Sequence, residues 1–325
     1  MAQSVAIADF LTAVAGCVTP ADGTQQAIVA TSESLLYQIS FQQEQGVSES
    51  IFARLDEGII YGVAAYVTPD GVQHAVAATS EGNVYHIAGG SQEKQLLATF
   101  EGAIFSAVAG YAAPSDDTQF AVVALGDGSV HHIAFSGQGV IRQRQLDVFE
   151  SSVISLAGYV NPADNAQYIF VAAGDGNLHS LKIAPDHLVS QHWLCHFAES
   201  YISMTSYITP ADGLIHIIPA TRDGKLYRVT LDPARVQEVF VEVHDGRVTF
   251  KPADTQDVAV GYIRFYELTS ASMMSIAGYV TPADGLQHIL VAASEGAIHH
   301  FFFPSWPASI HESAHEVIAQ FQSMF

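Results

Sequence analysis

The sequence predicts an all-β fold, a six-bladed β-propeller of four-stranded antiparallel blades. Three observations predict it: one sentence is written six times, its period is in the high forties, and each copy breaks into short apolar runs between turn signals. The copies are "AVAGCVTPADGTQQAIVATSESLLYQISF" (13–41), "GVAAYVTPDGVQHAVAATSEGNVYHIA" (62–88), "AVAGYAAPSDDTQFAVVALGDGSVHHIAF" (107–135), "SLAGYVNPADNAQYIFVAAGDGNLHSLKI" (155–183), "SMTSYITPADGLIHIIPATRDGKLYRVTL" (203–231) and "SIAGYVTPADGLQHILVAASEGAIHHFFF" (275–303).

Anchored on Pro20, Pro69, Pro114, Pro162, Pro210 and Pro282, the copies step by 49, 45, 48, 48 and 72 residues. Each carries a short first run ("IAGYV"), a longer second ("QHILVAA") and a third ("AIHHFFF"). A fourth follows: "IFARL" (51–55), "QLLATF" (95–100), "VIRQRQLDVF" (140–149) or "VSQHWLCHF" (189–197). These runs are rich in β-branched and aromatic residues, as strands are.

Pro-Ala-Asp-Gly or a relative of it joins the first two strands, as at Pro20–Gly23, Pro210–Gly213 and Pro282–Gly285, or Pro69–Gly71. Pro presets φ, Asp bonds the local backbone and Gly takes positive φ. An acid followed by Gly joins the second and third strands, as at Glu81-Gly82, Asp127-Gly128, Asp175-Gly176, Asp223-Gly224 and Glu295-Gly296. Glu33-Ser34 is the degenerate version.

A lone blade of this pattern is apolar on both faces. Six in a closed ring cover one another, whereas an open solenoid, the alternative, leaves the end copies bare. The chain reads as one domain, residues 1–325, with repeats near 13–58, 62–102, 107–150, 155–199, 203–267 and 275–325. The long fifth step places an insertion at 232–261, in which "VFVEVHDGRVTF" reads as a hairpin. Either end of the chain offers an outer strand for the last blade, "VAIADF" (5–10) or "EVIAQFQSMF" (316–325). The N-terminal segment is the expected clasp. The tail also reads as a helix, through a Ser309–Glu312 capping box and an apolar face of Ile310, Ala314, Val317, Ile318 and Phe321.

The composition narrows the function. Asp and Glu number 33 against 12 Lys and Arg, a formal charge of −21. That balance argues against nucleic acid and against anionic membranes, and leaves neutral ligands or a basic protein partner. Cys17 and Cys195 match no metal or redox spacing. The opening "MAQSVAIADFLTAVAG" lacks the pattern of a signal peptide, and no apolar run of about 18 residues occurs, so a soluble cytoplasmic protein is expected.

The innermost runs line a propeller's axis. They hold Ala, Gly, Ser, Val and Tyr, and no Asp, Glu, Lys, Arg or His. Acid–base catalysis or metal ligation needs titratable groups converging on a point. The wall offers none, so no catalytic residue, cofactor or metal is expected there.

Two residue sets recur instead. One third-strand position holds Tyr37, Tyr85, His131, His179, Tyr227 and His299, with His86, His132 and His300 at the next position on the opposite face. A set of acids precedes the inner strand: Asp9, Glu57, Glu101, Glu150, Glu199 and Glu267. The hairpin acids open on the same face. The aromatic column serves packing between blades, or ligand contact, or, as the least favoured alternative, metal binding. The acids serve as solvated turn residues, or as a ring accepting hydrogen bonds from sugar hydroxyls. The candidate ligand set is Tyr37, Tyr85, His131, His179, Tyr227, His299, Glu57, Glu101, Glu150 and Glu267.

The segment "GYVTPADGLQHILVAASEGAIHHFFF", with "DGSVHHI" and "DGNLHSL", resembles the repeats of bacterial lectin-like β-propellers, which carry recurring "DGxxH" motifs after an apolar strand. The resemblance covers nearly the whole chain outside the insertion and tail. It implies non-enzymatic, multivalent carbohydrate binding in pockets between blades. The chain departs from the pattern in its tryptophans: Trp193 and Trp306 lie outside the repeated core, so sugar stacking falls to Tyr and His. A protein-interaction scaffold is the alternative, and a small-molecule hydrolase or cyclase with one pocket near the fifth repeat is another. That pocket would gather Arg222, Arg228 and the insertion.

Overall fold

The computed structural model describes residues 5–7, 11–18, 24–42, 46–91, 93–114, 116–162, 164–197, 200–208, 214–222, 225–231, 239–244, 247–252, 258–260, 266–267, 273–280, 286–293, 297–303 and 314–321. After a short β1 (Val5–Ile7), four strands make the first blade: β2 (Leu11–Val18), β3 (Gln25–Thr31), β4 (Leu35–Gln42) and β5 (Gly46–Arg54). The second holds β6 (Ile60–Val67), β7 (Gln73–Thr79), β8 (Asn83–Ala88) and β9 (Lys94–Thr99). The third holds β10 (Phe105–Ala112), β11 (Gln119–Leu125), β12 (Ser129–Ser136) and β13 (Gly139–Val148). The fourth holds β14 (Val153–Val160), β15 (Gln167–Ala173), β16 (Asn177–Ile183) and β17 (Val189–His196).

In the fifth blade, β18 (Tyr201–Ile208) and β19 (Ile215–Thr221) are followed by a third strand in two pieces, β20 (Lys225–Leu226) and β21 (Val229–Leu231). A separate antiparallel sheet comes next, of β22 (Val239–His244), β23 (Arg247–Pro252) and β24 (Val258–Val260). Then β25 (Tyr266–Glu267) adds the blade's outer edge. The sixth blade is β26 (Met273–Val280), β27 (Gln287–Ala293), β28 (Ala297–Phe303) and β29 (Ala314–Phe321). Strands within each blade pair antiparallel in sequence order, and the described residues contain no helix.

The last blade closes differently from expectation. Its fourth strand is the C-terminal β29, antiparallel to β28, and the N-terminal β1 lies outside it as a fifth strand, parallel to β29. The free edge of β28 needs hydrogen-bond partners along its length. The nearby 314–321 segment supplies them as a strand, which outweighs its helical spacing. Residues 309–313, where the capping box falls, lie outside the described residues, as do Asp9, Glu199 and the turns at Pro20–Gly23, Asp223-Gly224 and Pro282–Gly285. The two cysteines are buried and free.

Inner strands neighbour one another in the order β2, β6, β10, β14, β18, β26 and back to β2, so the ring is closed. The cores lie between blades, each cluster drawing from two adjacent sheets. One polar bond recurs across these boundaries. The inner-strand tyrosine of one blade donates to a glutamine opening the second strand of the next: Tyr66 to Gln119 at 2.6 Å, Tyr111 to Gln167 at 3.1 Å, Tyr207 to Gln287 at 3.1 Å and Tyr279 to Gln25 at 3.1 Å. Between the first and second blades the tyrosine is replaced by Cys17, whose sulfur accepts from Gln73 Nε2 at 3.1 Å.

Each tyrosine ring also lies over a glycine of the next inner strand. A Cβ on Gly158 would sit 2.5 Å from Tyr111, on Gly16 2.9 Å from Tyr279, and on Gly110 and Gly278 3.0 Å from Tyr66 and Tyr207. At the Cys17 boundary the corresponding residue is Ala65, where the smaller partner leaves room for a methyl.

Candidate functional site

The axis is lined by small and hydroxyl side chains, among them Thr12, Ser106, Ser155, Ser203 and Ser275, with no carboxylate, imidazole, ammonium or guanidinium among the described residues. Several of these hydroxyls are structural. Ser155 Oγ accepts from the backbone N–H of Met204 at 2.9 Å, Ser203 Oγ from Ile276 at 3.1 Å and Ser275 Oγ from Val14 at 3.4 Å, each in the next blade.

On the acid-bearing face, the aromatic column sits in the seams between blades. His131 stands edge-on to Phe100 of the preceding blade at 4.9 Å, His179 to Phe149 at 5.1 Å, and Tyr227 lies against Phe197 at 5.1 Å. Tyr37 packs on the core shared by the sixth and first blades, and His299 is buried. Burial lowers the affinity of His131 and His179 for protons, opposed by Asp127 and Asp175 respectively. The hairpin acids build their own turns. Asp127 Oδ1 accepts from the backbone N–H of Ser129 at 2.9 Å and its hydroxyl at 2.6 Å, bonds that hold its carboxyl below the usual range. Asp175 holds Asn177 in the same way.

Of the candidate ligand set, the structure brings Glu57 and Tyr85 together. Glu57 Oε1 accepts from Tyr85 Oη at 2.9 Å and Asn83 Nδ2 at 2.7 Å. Burial and this carboxylate push the Tyr85 phenol up to about 12. Glu101 and Glu150 stand exposed on the same face, and Glu267 lies in β25, paired with Lys225 in register.

The cavities with built walls open on the opposite face, where the Pro-containing turns lie, and none of the candidate set lines them. One, of about 370 Å³, lies between the third and fourth blades. Phe120, Pro114, Ile141 and Pro185 give it apolar walls; His132, Gln167, Arg142, Arg144 and Asp116 give it polarity. The local fold dictates this grouping. His132 on β12 and Arg144 on β13 are cross-strand partners, and Arg142 is two residues from Arg144, so all three share the face turned to the fourth blade.

Within it, Gln167 Oε1 accepts from Tyr111 Oη and from His132 Nε2 at 2.8 Å. The proton of His132 is thereby on Nε2, and its Nδ1 is a bare acceptor, buried and without a partner among the described residues. Burial lowers the His132 pKa to about 4, so the ring is neutral at pH 7. Arg144 donates from Nη1 to the carbonyl of His187 at 2.9 Å, while its Nε–H is buried and unpartnered. His187 holds a positive φ of 69° in a tight turn, which turns that carbonyl toward the cavity.

The corresponding slot between the second and third blades, of about 590 Å³, is lined by Thr68, His74, Asp70, Asp116 and Asp117. Behind it runs a chain of polar side-chain contacts. Thr68 Oγ1 donates to Asp70 Oδ1 at 2.5 Å and meets His74 Nε2 at 2.9 Å; His74 Nδ1 meets His86 Nε2 at 2.9 Å; His86 Nδ1 meets Gln95 Oε1 at 3.2 Å. Gln95 holds the register position that Arg144 holds one blade on. The sixth blade repeats the pair, His288 Nδ1 to His300 Nε2 at 2.9 Å.

Sequence reasoning missed the His132–Arg144 pocket. Its signal was present: two arginines at alternate positions of one outer strand, in a chain with few cations, opposite a histidine.

No protein-family model matches this chain, and no curated protein matches it. Solved structures do. A fucose-specific lectin from Aleuria aurantia superposes with a TM-score of 0.67 at 10% identity, over 98% of this chain and 100% of that one. AofleA from Arthrobotrys oligospora gives 0.65 at 8%, over 97% and 91%. SapL1 lectin, solved with α-methyl fucoside, gives 0.62 at 8%, over 98% and 98%. A fungal lectin in this group is described as a six-bladed β-propeller, and at such low identity the likeness establishes that fold for this chain.

Proposed function

We propose that this chain is a non-enzymatic carbohydrate-binding propeller whose sites are the slots between blades. One observation carries the reading: the third-to-fourth slot holds a buried acceptor, His132 Nδ1, and a buried donor, Arg144 Nε, both unmatched, between apolar walls. Unmatched buried polar atoms cost about 1–3 kcal/mol each. A ligand that donates and accepts from neighbouring positions relieves both, and adjacent sugar hydroxyls do so. Pro114, Ile141 and Pro185 suit the C–H faces of a pyranose. Solved neighbours of the same fold are lectins, several with fucosides bound, which supports the class of ligand.

The second-to-third slot opens on the same face, so the molecule presents more than one slot to a glycan surface, and avidity grows with valency. A glycan array covering neutral and acidic sugars tests the reading. Retention of a defined glycan group, lost in His132→Phe, is the expected outcome; a blank array sinks it.

A further inference from the structure

Adjacent slots of this ring differ in charge. The second-to-third slot is lined by Asp70, Asp116 and Asp117 and by no cation. The third-to-fourth slot carries Arg142 and Arg144, against Asp116 alone. Asp116 is partly engaged already, its Oδ1 accepting from the backbone N–H of Thr118 at 2.8 Å. The imidazole of His132, on the wall of the third-to-fourth slot, is neutral at pH 7. In a chain of formal charge −21, this is a local reversal of sign.

Arg144 shows what it lacks. Its Nη1 is committed to the His187 carbonyl, and the Nε–H on the Nε/Nη2 edge of the guanidinium is buried and unpartnered among the described residues. That edge matches the two oxygens of a carboxylate. Desolvation and the neighbouring Arg142 both lower the Arg144 pKa, the strain of a cation pair without its anion. One register step across the sheet, His132 Nδ1 requires a donor, which a carboxylate does not supply and a hydroxyl does. The ligand therefore bears both groups close together.

We infer that the slot between the third and fourth blades binds an acidic saccharide, its carboxylate on the Nε/Nη2 edge of Arg144 beside Arg142 and a ring hydroxyl donating to His132 Nδ1. This rests on the carbohydrate reading above and names the substrate class of that one slot.

The test is calorimetric titration of the full chain with methyl β-D-glucuronide, methyl β-D-glucoside and acetate. A charge-assisted hydrogen bond contributes about 1.5–3 kcal/mol, so the glucuronide is expected to bind about tenfold or more tighter than the glucoside, and less tightly as salt rises. Arg144→Gln installs the residue that the second blade carries as Gln95 and so keeps the fold. It is expected to abolish the preference, with an unchanged thermal melt as the check on folding. His132→Phe weakens the glucuronide but not acetate. If glucosides or other neutral sugars bind as well as the glucuronide, the inference falls and the carbohydrate reading stands. If acetate matches the glucuronide, the slot is a bare anion site and the inference falls. If neither the glucuronide nor the glucoside binds, the inference falls, and the glycan array decides the carbohydrate reading separately.

Discussion

Tyr159 packs against the core cluster that holds Ile215 at the boundary between the fourth and fifth blades, and Ile215 occupies the place where Tyr66, Tyr111, Tyr207 and Tyr279 each find a glutamine at theirs. The tyrosine is kept and its acceptor is gone, so the phenol oxygen is buried without a partner. Ser206 stands there in place of the usual glycine, and its hydroxyl is unpartnered too. Burial and the neighbouring Tyr168 push the Tyr159 phenol far above its ordinary range.

The same substitution should therefore act differently at two boundaries. Tyr66→Phe breaks a 2.6 Å bond to Gln119, at a cost of about 1–2 kcal/mol. Tyr159→Phe removes a group that has no partner, and is expected to be neutral or to stabilise by up to about 1 kcal/mol. Urea midpoints of the two variants decide it. A larger loss from Tyr159→Phe than from Tyr66→Phe would refute the assignment.

Gly158→Ala places a methyl 2.5 Å from Tyr111, a residue already bonded to Gln167 and fully enclosed. Overpacking of this kind costs about 1–3 kcal/mol. Gly137→Ala meets nothing within 4 Å and is the control, expected within about 0.5 kcal/mol of the parent. Chemical denaturation of both variants is the measurement.

Stability should fall as the pH drops below about 6.5. His86 is lowered to about 4 by burial and then by His74, and His132 to about 4 by burial. Their ordinary value is about 6.5. Between these two values the unfolded chain binds a proton at each site that the folded chain refuses. The stability they confer is whole above pH 6.5 and declines toward pH 4, by up to about 1.4 kcal/mol per pH unit for each ring. Urea midpoints from pH 7 to 4.5 should show the slope, and His86→Gln with His132→Gln should flatten it. An unchanged slope in the double variant would assign it to other groups.

Cys17 and Cys195 should be silent to thiol reagents in the native state. Burial pushes the Cys17 thiol up to about 12, partly offset by the Gln73 bond, and raises Cys195 as well. A disulfide-exchange reagent at pH 8 should count no thiol in buffer and two in strong denaturant. Fast labelling of native protein would mean that a seam opens.

The blades were legible because their information is local. Strand runs such as Gln73–Thr79 and turns such as Asp127-Gly128 are written in consecutive residues, and six copies repeat the message. The closing strand was not, since residues 314–321 fit two periods and only the waiting edge of β28 decides between them. The acids and the Tyr/His column were legible as rings but not as partners. Glu57 reaches Tyr85, whereas Glu101 and Glu150 remain exposed. The His132–Arg144 slot is set by strand register and by Gln167 from the next copy, information that no single repeat contains.

The ring of tyrosine laid on glycine has a geometric reach beyond its own contact. The thickness of an aromatic ring, resting on a bare backbone, spaces one inner strand from the next and so sets the wedge each blade subtends. Four of the six boundaries are spaced in this way. Where Cys17 thins the spacer, Ala65 thickens the floor beneath it, and the wedge is preserved by exchange. The width of a wedge is thus adjusted at the scale of a single methyl group, and swelling one wedge crowds its neighbours or opens a gap.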